Sequence, residues 1–336
     1  MVIPTGEGVD DYMYILVDSD LDKEPKEINL VSMFKDLFKN KGSLSTFINT
    51  HPHKDHVGGI REVYDEIEFD EVWHSNHKPG DSRHEQPYKD LKYVIDKVGK
   101  ANEYHLLATS KKNQIRNTDE DDVTKKLGLI EYQVISPSEY LCEDIEEGKA
   151  AERDDRIHEQ CGVIKFTYGS TPRSIMITGD SDKCAWKEHI TDSYLKSLPC
   201  DVLSASHHGS RTFFKKDADD EDVYEKHIEE IKPDYIIISA PEQKDSPYDH
   251  PHDDAMDLYK KHIDDEDNIF HLGSGPYSVI VDITDDGTIT VETDTELIEA
   301  YGNDNDDDGG DKKDEKSTSR AYVASRTTRI DNQPMG

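Results

Sequence analysis

The chain has 336 residues, 33% hydrophobic and 34% charged, and its 74 acids against 40 bases give a formal charge of -34. That length fits one large domain or two ordinary ones, and no apolar run reaches the roughly 18–20 residues of a membrane span. The acidity works against sequence-independent binding to nucleic acid or to anionic membranes, which Lys and Arg carry.

Mean hydropathy is -0.85, a value shared with chains that do not fold, yet 17 tyrosines, 8 phenylalanines and several dense apolar runs supply a core. The opening MVIPTGEGVDD lacks the basic and apolar regions of a secretory signal. Cys142, Cys161, Cys184 and Cys200 form no CxxC pair, so reduced thiols and a cytoplasmic location are expected. In chain order the patterning predicts a strand at 12–17, a helix at 29–40, a strand at 46–49, a helix at 59–67, a strand at 71–75 and a helix at 88–98. Strands follow at 131–135, 162–168 and 174–178, then a helix at 185–197, a strand at 201–205, a helix at 219–231, a strand at 235–239 and a helix at 253–263. Strands at 277–283 and 288–292 form a terminal hairpin turning at Asp286-Gly287. Strands mixed with helices throughout predict an α/β fold of sheets covered by helices.

Residues 76–128 are polar and read as an insertion, and 303–316, NDNDDDGGDKKDEK, holds no apolar residue. The expected organisation is one domain over 1–302 and a disordered acidic tail over 303–336. That tail has eight acids and six bases, a balance of -2, so the remaining -32 belongs to the folded body.

Residues 50–59, THPHKDHVGG, place His51, His53, Asp55 and His56 between an apolar strand and a helix. Imidazole and carboxylate are the usual ligands of zinc and similar divalent metals, and a strand end presents them from a rigid support. The plain alternative is a His-rich surface loop, since the chain has 16 histidines. Further on, RIHEQCGVIKF carries His158 before a strand, SIMITGDSD carries Asp180 after one, and DVLSASHHGS carries His207 at the close of another.

HxHxDH followed by these three motifs, in this order, resembles the metallo-β-lactamase superfamily. ITGDSD, LSASHHGSRT, PDYIIISA and YDHPHDDAM are similar to its ComEC-like branch, related to DNA-uptake (competence) proteins, over roughly residues 12–292. The resemblance implies a four-layer αββα sandwich, two mixed sheets with helices on the outer faces. It implies two divalent metal ions, zinc or manganese. His51, His53 and His158 would hold one; Asp55, His56 and His207 would hold the other, with Asp180 bridging. The chain departs from the family pattern in the unmatched 76–128 stretch and ahead of Tyr12, where a strand and a Gly-Asp pair are usual; the second departure points to a missing N-terminal strand.

Two metals holding a bridging hydroxide hydrolyse phosphodiesters, lactams, lactones and thioesters alike, so the ligand set gives the reaction type before the substrate. Asp55 is also taken as a catalytic group, His208 as a donor of a proton to the leaving oxygen and His250 as a leaving-group contact. Ser210, Arg211 and His252 are expected to bind substrate, Arg211 through paired hydrogen bonds to phosphate. The reading is a phosphodiesterase or nuclease acting on nucleic acid or a small nucleotide. Its alternatives are a hydrolase of a small neutral ester or amide (lactonase, thioesterase or β-lactamase-like), and a non-catalytic module whose acidic surface binds a basic protein partner. No membrane partner is expected.

Overall fold

The computed structural model describes residues 1–6, 12–21, 28–38, 44–80, 85–108 and 125–302. The expected tail at 303–336 lies outside the described residues, as do 81–84 and 109–124 of the expected insertion.

The first half runs β1 (Val2–Pro4), β2 (Tyr12–Val17), β3 (Ser19–Asp20), α1 (Leu30–Phe38), β4 (Leu44–Asn49), α2 (Lys54–Val57), α3 (Ile60–Ile67), β5 (Phe69–His74), α4 (Glu85–Val98) and β6 (Glu103–His105). Its sheet has the order β1-β2-β4-β5-β6, antiparallel only between β1 and β2. A strand thus does stand ahead of Tyr12. The second half runs β7 (Lys125–Leu127), β8 (Ile130–Ser136), α5 (Glu139–Glu147), α6 (Ala150–Asp155), β9 (Val163–Tyr168), β10 (Arg173–Ile177), β11 (Val202–Ser204), α7 (Lys226–Ile231), β12 (Tyr235–Ile238), α8 (Asp253–Lys261) and β13 (Ile269–His271). These strands form a seven-stranded mixed sheet, β13-β12-β11-β10-β9-β8-β7, parallel from β13 to β10 and antiparallel beyond. A separate hairpin, β14 (Ser278–Ile283) and β15 (Ile289–Asp294), precedes α9 (Glu296–Tyr301) and turns at Gly287 (φ 86°).

Side-chain alternation distributes the core. Along β2, Met13, Ile15 and Val17 join one apolar cluster while Tyr14 and Leu16 join another. The first cluster holds Ile15, Ile48 and Trp73 from the five-stranded sheet with Ile130, Ile164 and Phe166 from the seven-stranded one, so the two sheets meet through it. The second packs Phe47, Phe69 and Val72 against α1, α3 and α4. The third packs Met176, Leu203, Ile236 and Ile238 with Trp186, Phe213, Phe214, Ile228, Ala255 and Tyr259. Within the expected insertion, α4 buries Leu91 and Val94 in the second cluster and β6 extends the first sheet.

Two predicted helices are shorter than their periodicity implies. Over 185–197 the chain forms a π-helical turn, Ala185–Ile190, because the Thr191 amide donates to the Trp186 carbonyl five residues back and the Thr191 hydroxyl donates to the same oxygen at 2.8 Å. In the 219–231 stretch only Lys226–Ile231 is helical, and Asp220 and Asp222 instead take Lys183.

Candidate metal centre

The loops that follow the carboxyl ends of β2, β4, β10 and β11 converge, as ligand-bearing loops do in parallel sheets. β2 leads into Asp18, β4 into His51–His56, β10 into Asp180, and β11 into His207 and His208. Asn49, fully buried, donates to the carbonyls of His51 (2.8 Å) and His56 (3.0 Å) and so ties the two ends of the histidine loop together. The turn then passes through Gly59 at φ 68°, where a Cβ would lie 2.3 Å from the Leu21 Cβ. Gly179, φ 49°, sits where a Cβ would meet Cys161 Sγ at 2.5 Å and Thr50 Cβ at 2.7 Å, so only glycine lets β10 deliver Asp180 against β4.

Proton bookkeeping fixes how the imidazoles face. Asp18 Oδ2 accepts from His56 Nδ1 at 2.8 Å and from the Thr50 hydroxyl at 2.7 Å. With its proton committed, Thr50 Oγ1 can only accept from His51 Nδ1, 3.2 Å away. His208 Nδ1 donates to the Ser239 carbonyl at 2.6 Å. The Thr212 hydroxyl donates to Ser210 Oγ and so accepts from His207 Nδ1 at 2.8 Å. Each of these four rings therefore carries its proton on Nδ1, facing away, and turns Nε2 inward. Those Nε2 atoms close on Asp180: His56 lies 3.0 Å and His208 3.8 Å from Oδ1, while His51 (3.5 Å) and His207 (3.6 Å) approach Oδ2, where His158 Nε2 joins them at 3.8 Å.

Two groups emerge around that carboxylate. His51, His53, His158 and Asp180 offer ligand atoms all within 4.8 Å of one another, and so do Asp55, His56, Asp180 and His208. Beside the expected ligand His207, the adjacent His208 also faces Asp180, and it is His208 that lies against Asp55 and His56, its Nε2 3.3 Å from Asp55 Oδ2 and 3.2 Å from His56 Nε2. His207 instead lies against His158, ring centroids 4.3 Å apart. The cause is the backbone: His207 (φ 50°, ψ 49°) and His208 (φ 56°, ψ 30°) are consecutive left-handed residues, and both rings reach Asp180. His208 thus has Nδ1 on the Ser239 carbonyl and Nε2 beside Asp55.

The electrostatics divide the rings: burial lowers His208, but its hydrogen bond to Asp55 and the charge of Asp180 raise it above the ordinary histidine value. Burial, followed by the crowd of neighbouring histidines, holds His51 and His158 well below the ordinary histidine value, and burial lowers His207 as well. Burial works against protonation of His56 too, but Asp180 and Asp18 on either side of it raise it well above. Burial would raise Asp180, yet His56, His207 and His51 keep it well below the usual carboxylate range. His51 Nε2 is buried with no hydrogen-bond partner. A core rarely tolerates such an atom. An ionised carboxylate ringed by inward imidazole nitrogens is an arrangement that a divalent cation satisfies by displacing the protons those nitrogens hold, so the donor set fits the expected metals.

The remaining predicted residues divide. His250 is 7% exposed, with its ring 5.1 Å from that of His207. His252 caps α8, accepts from the Arg211 amide at 3.1 Å and lines an open cleft of about 560 Å³ with Arg211, Gln243, Lys244, Asp249, Asp253 and Asp254. Arg211 Nε is engaged by Asp254 (3.1 and 3.2 Å), which Lys215 also contacts. Ser210 is 1% exposed, and its hydroxyl accepts from the Thr212 amide and hydroxyl, capping a short 3-10 turn. Sequence reasoning missed Asp18, Thr50, Thr212 and Ser239, the outer partners of the rings. Asp18 had a usable signal, an aspartate directly after the apolar strand YMYILV. A third group, His74, Glu103 and His105, is a hydrogen-bonded set instead. The Asn76 amide donates to His74 Nδ1, so Nε2 carries the proton that goes to Glu103 at 3.1 Å and has no lone pair for a cation.

No family model and no curated protein matches the chain. Similar solved structures include Igni18, a metallo hydrolase from the hyperthermophilic archaeon Ignicoccus hospitalis KIN4/I, at 11% identity and TM-score 0.36 over 76% of this chain and 82% of that one. CmlA, a diiron β-hydroxylase from Streptomyces venezuelae, gives 13% and 0.35 over 66% of this chain and 42% of its own. A diphosphatase of the PhnP family gives 12% and 0.32 over 83% and 79%. At these values the likenesses assign neither family nor activity, and the reading of function rests on the site.

Proposed function

We propose that the chain is a binuclear metal-dependent hydrolase of phosphodiesters, of the metallo-β-lactamase superfamily and its ComEC-like branch, on a four-layer αββα frame. The observation that carries the hydrolase reading is the inward turn of four imidazoles, those of His51, His56, His207 and His208, each with Nδ1–H held by an outer acceptor, around the buried Asp180. The layering is supported by three apolar clusters, one between the sheets and two beneath helices.

In this reading His51, His53 and His158 hold one cation and Asp55, His56 and His208 the other, with Asp180 shared and His207 completing the shell on the Oδ2 side. Zinc or manganese bound there would supply Lewis acidity, activating water and neutralising charge on the reacting phosphoryl oxygens. The chain's own residues orient and hold. Asp18 fixes His56 directly and His51 through Thr50, and Ser239 fixes His208. His250 is pushed down to about 3 by burial and then by His207, His252 and His208, so it meets the leaving oxygen as a neutral N–H donor. Arg211 and His252 line the approach.

One observation favours the neutral carbonyl substrate instead: Arg211 and Lys215 both contact Asp254. A parallel assay decides. The metal-loaded protein, its metal content measured, is given bis(4-nitrophenyl) phosphate, nitrocefin and an acyl-lactone panel. Release of nitrophenol from the diester is the expected result. Turnover of the carbonyl panel alone overturns the phosphodiester assignment, and no turnover of any substrate with metal bound overturns the hydrolase.

A further inference from the structure

We propose that Tyr248 is a stacking platform for a single nucleobase and that the substrate is a short nucleotide phosphodiester, not a polynucleotide; this rests on the phosphodiesterase reading above. Tyr248 is 71% exposed, well above every other exposed large hydrophobic residue among those described. It does not stand on an unsupported loop. Ser246 Oγ accepts from the Tyr248 amide (3.3 Å) and the His250 amide (3.0 Å), and the His252 amide donates to the Gly209 carbonyl at 3.1 Å, which pins the loop to the turn bearing His207 and His208. From Tyr248 a chain of rings leads inward: its centroid is 6.0 Å from that of His250, which is 5.1 Å from His207. The next residue, Asp249, lines the 560 Å³ cleft, a size that suits one small ligand. An exposed, positioned aromatic face beside a site for an anionic centre fits a flat base joined to a phosphate, because stacking needs no charge and accepts any base.

Charge sets the length. A polynucleotide needs a track of free cations beyond the reacting phosphate. The two basic residues that line the cleft are already engaged, Arg211 with Asp254 and Lys244 with Glu242, and Lys215 also contacts Asp254. The attraction available is local to the centre and the ring, enough for one or two nucleotides.

The test compares thymidine 5′-(4-nitrophenyl phosphate) with methyl 4-nitrophenyl phosphate, which share a leaving group and differ in the base-bearing sugar. The metal-loaded full chain is expected to prefer the thymidine diester by about tenfold in kcat/KM, the scale of one stacked base. Tyr248→Ala should collapse that preference through KM, Tyr248→Trp should retain it, and Tyr104→Ala, an exposed tyrosine on β6, should leave it unchanged. A dinucleotide should be cleaved with higher kcat/KM than a single-stranded 20-mer. Equal turnover of both diesters, or a preference intact in Tyr248→Ala, overturns the platform while nitrophenol release still upholds the phosphodiesterase. A 20-mer preferred over the dinucleotide overturns the limit on length. Release from neither diester overturns both readings together.

Discussion

Asp18→Asn is the sharpest test of the inward-facing imidazoles, because it keeps shape and inverts proton direction. Asp18 Oδ1 accepts from the Thr50 amide (2.8 Å) and from Asn49 Nδ2 (3.2 Å), so an asparagine there must keep its oxygen at that position. Its NH2 then replaces Oδ2 and points at His56 Nδ1 and Thr50 Oγ1, two atoms that now donate. His56 can accept only by moving its proton to Nε2, into the centre. Thr50, accepting from the amide, turns its own proton to His51 Nδ1, which moves the His51 proton to Nε2 as well. Loss of one outer partner of a metal-binding histidine costs about 10–100-fold in metal affinity. Here two rings share one partner, so the upper end is expected, about 2.7 kcal/mol. Competition with a chromogenic chelator measures zinc and manganese affinity, and the far-ultraviolet dichroism of the chelator-treated protein reports folding. A folded Asp18→Asn variant that binds zinc as tightly as the parent would refute the proton assignment and, with it, the case for the centre.

Other perturbations read different parts of the argument. Chelation should lower the melting temperature by on the order of 10 °C, because cations at 1,000 times their dissociation constant contribute about 4 kcal/mol; an unchanged transition in calorimetry would show that the imidazoles do not hold metal. Gly179→Ala forces a Cβ into Cys161 and Thr50 at a positive φ and should cost about 2–3 kcal/mol, with weaker metal binding because Asp180 shifts, both measured by denaturant titration with and without zinc. Asp254→Asn releases Arg211 and Lys215, so KM for an anionic diester should fall a few-fold at low salt and that gain should vanish at high salt. Equal KM values for the two proteins at low salt would mean that these cations do not face the substrate.

Most of the donor set was legible because its residues stand at strand ends, where an apolar run stops abruptly at His, Asp or Gly. His51, His53, Asp55, His56 and Asp180 are read that way, and the structure gathers them. That His208 faces Asp180 beside His207 was hidden because both lie in one SHHG turn, and which ring meets Asp55 depends on two successive left-handed residues that no residue pattern announces. Asp18 was hidden for another reason. Its partners, Thr50 and His56, are 32 and 38 residues away, so its task exists only after β2 and β4 pair. The strands β6 and β13, three residues each, carry too little pattern to detect and persist because each pairs in parallel with a longer neighbour. Over 185–197 the apolar spacing was real, and Trp186, Ile190 and Tyr194 are all buried, but Thr191 diverts the backbone hydrogen bond and the regular helix is lost.

The charge of -34 acts on the size of a substrate more than on its chemistry. Almost all of it, -32, lies in residues 1–302, yet two of those acids, Asp55 and Asp180, belong to the donor set, and two divalent cations would place four positive charges beside them. At physiological ionic strength a charge is felt over about 8 Å. A phosphate inside the centre would therefore respond to the cations and to little else, whatever the net charge of the protein. A polymer cannot stay within that distance. Each further phosphate would leave the cations' reach and pass over a cleft where Arg211 and Lys244 already contact carboxylates. The acidic body is thus compatible with a phosphodiester as the reacting group and opposes only its continuation into a long chain.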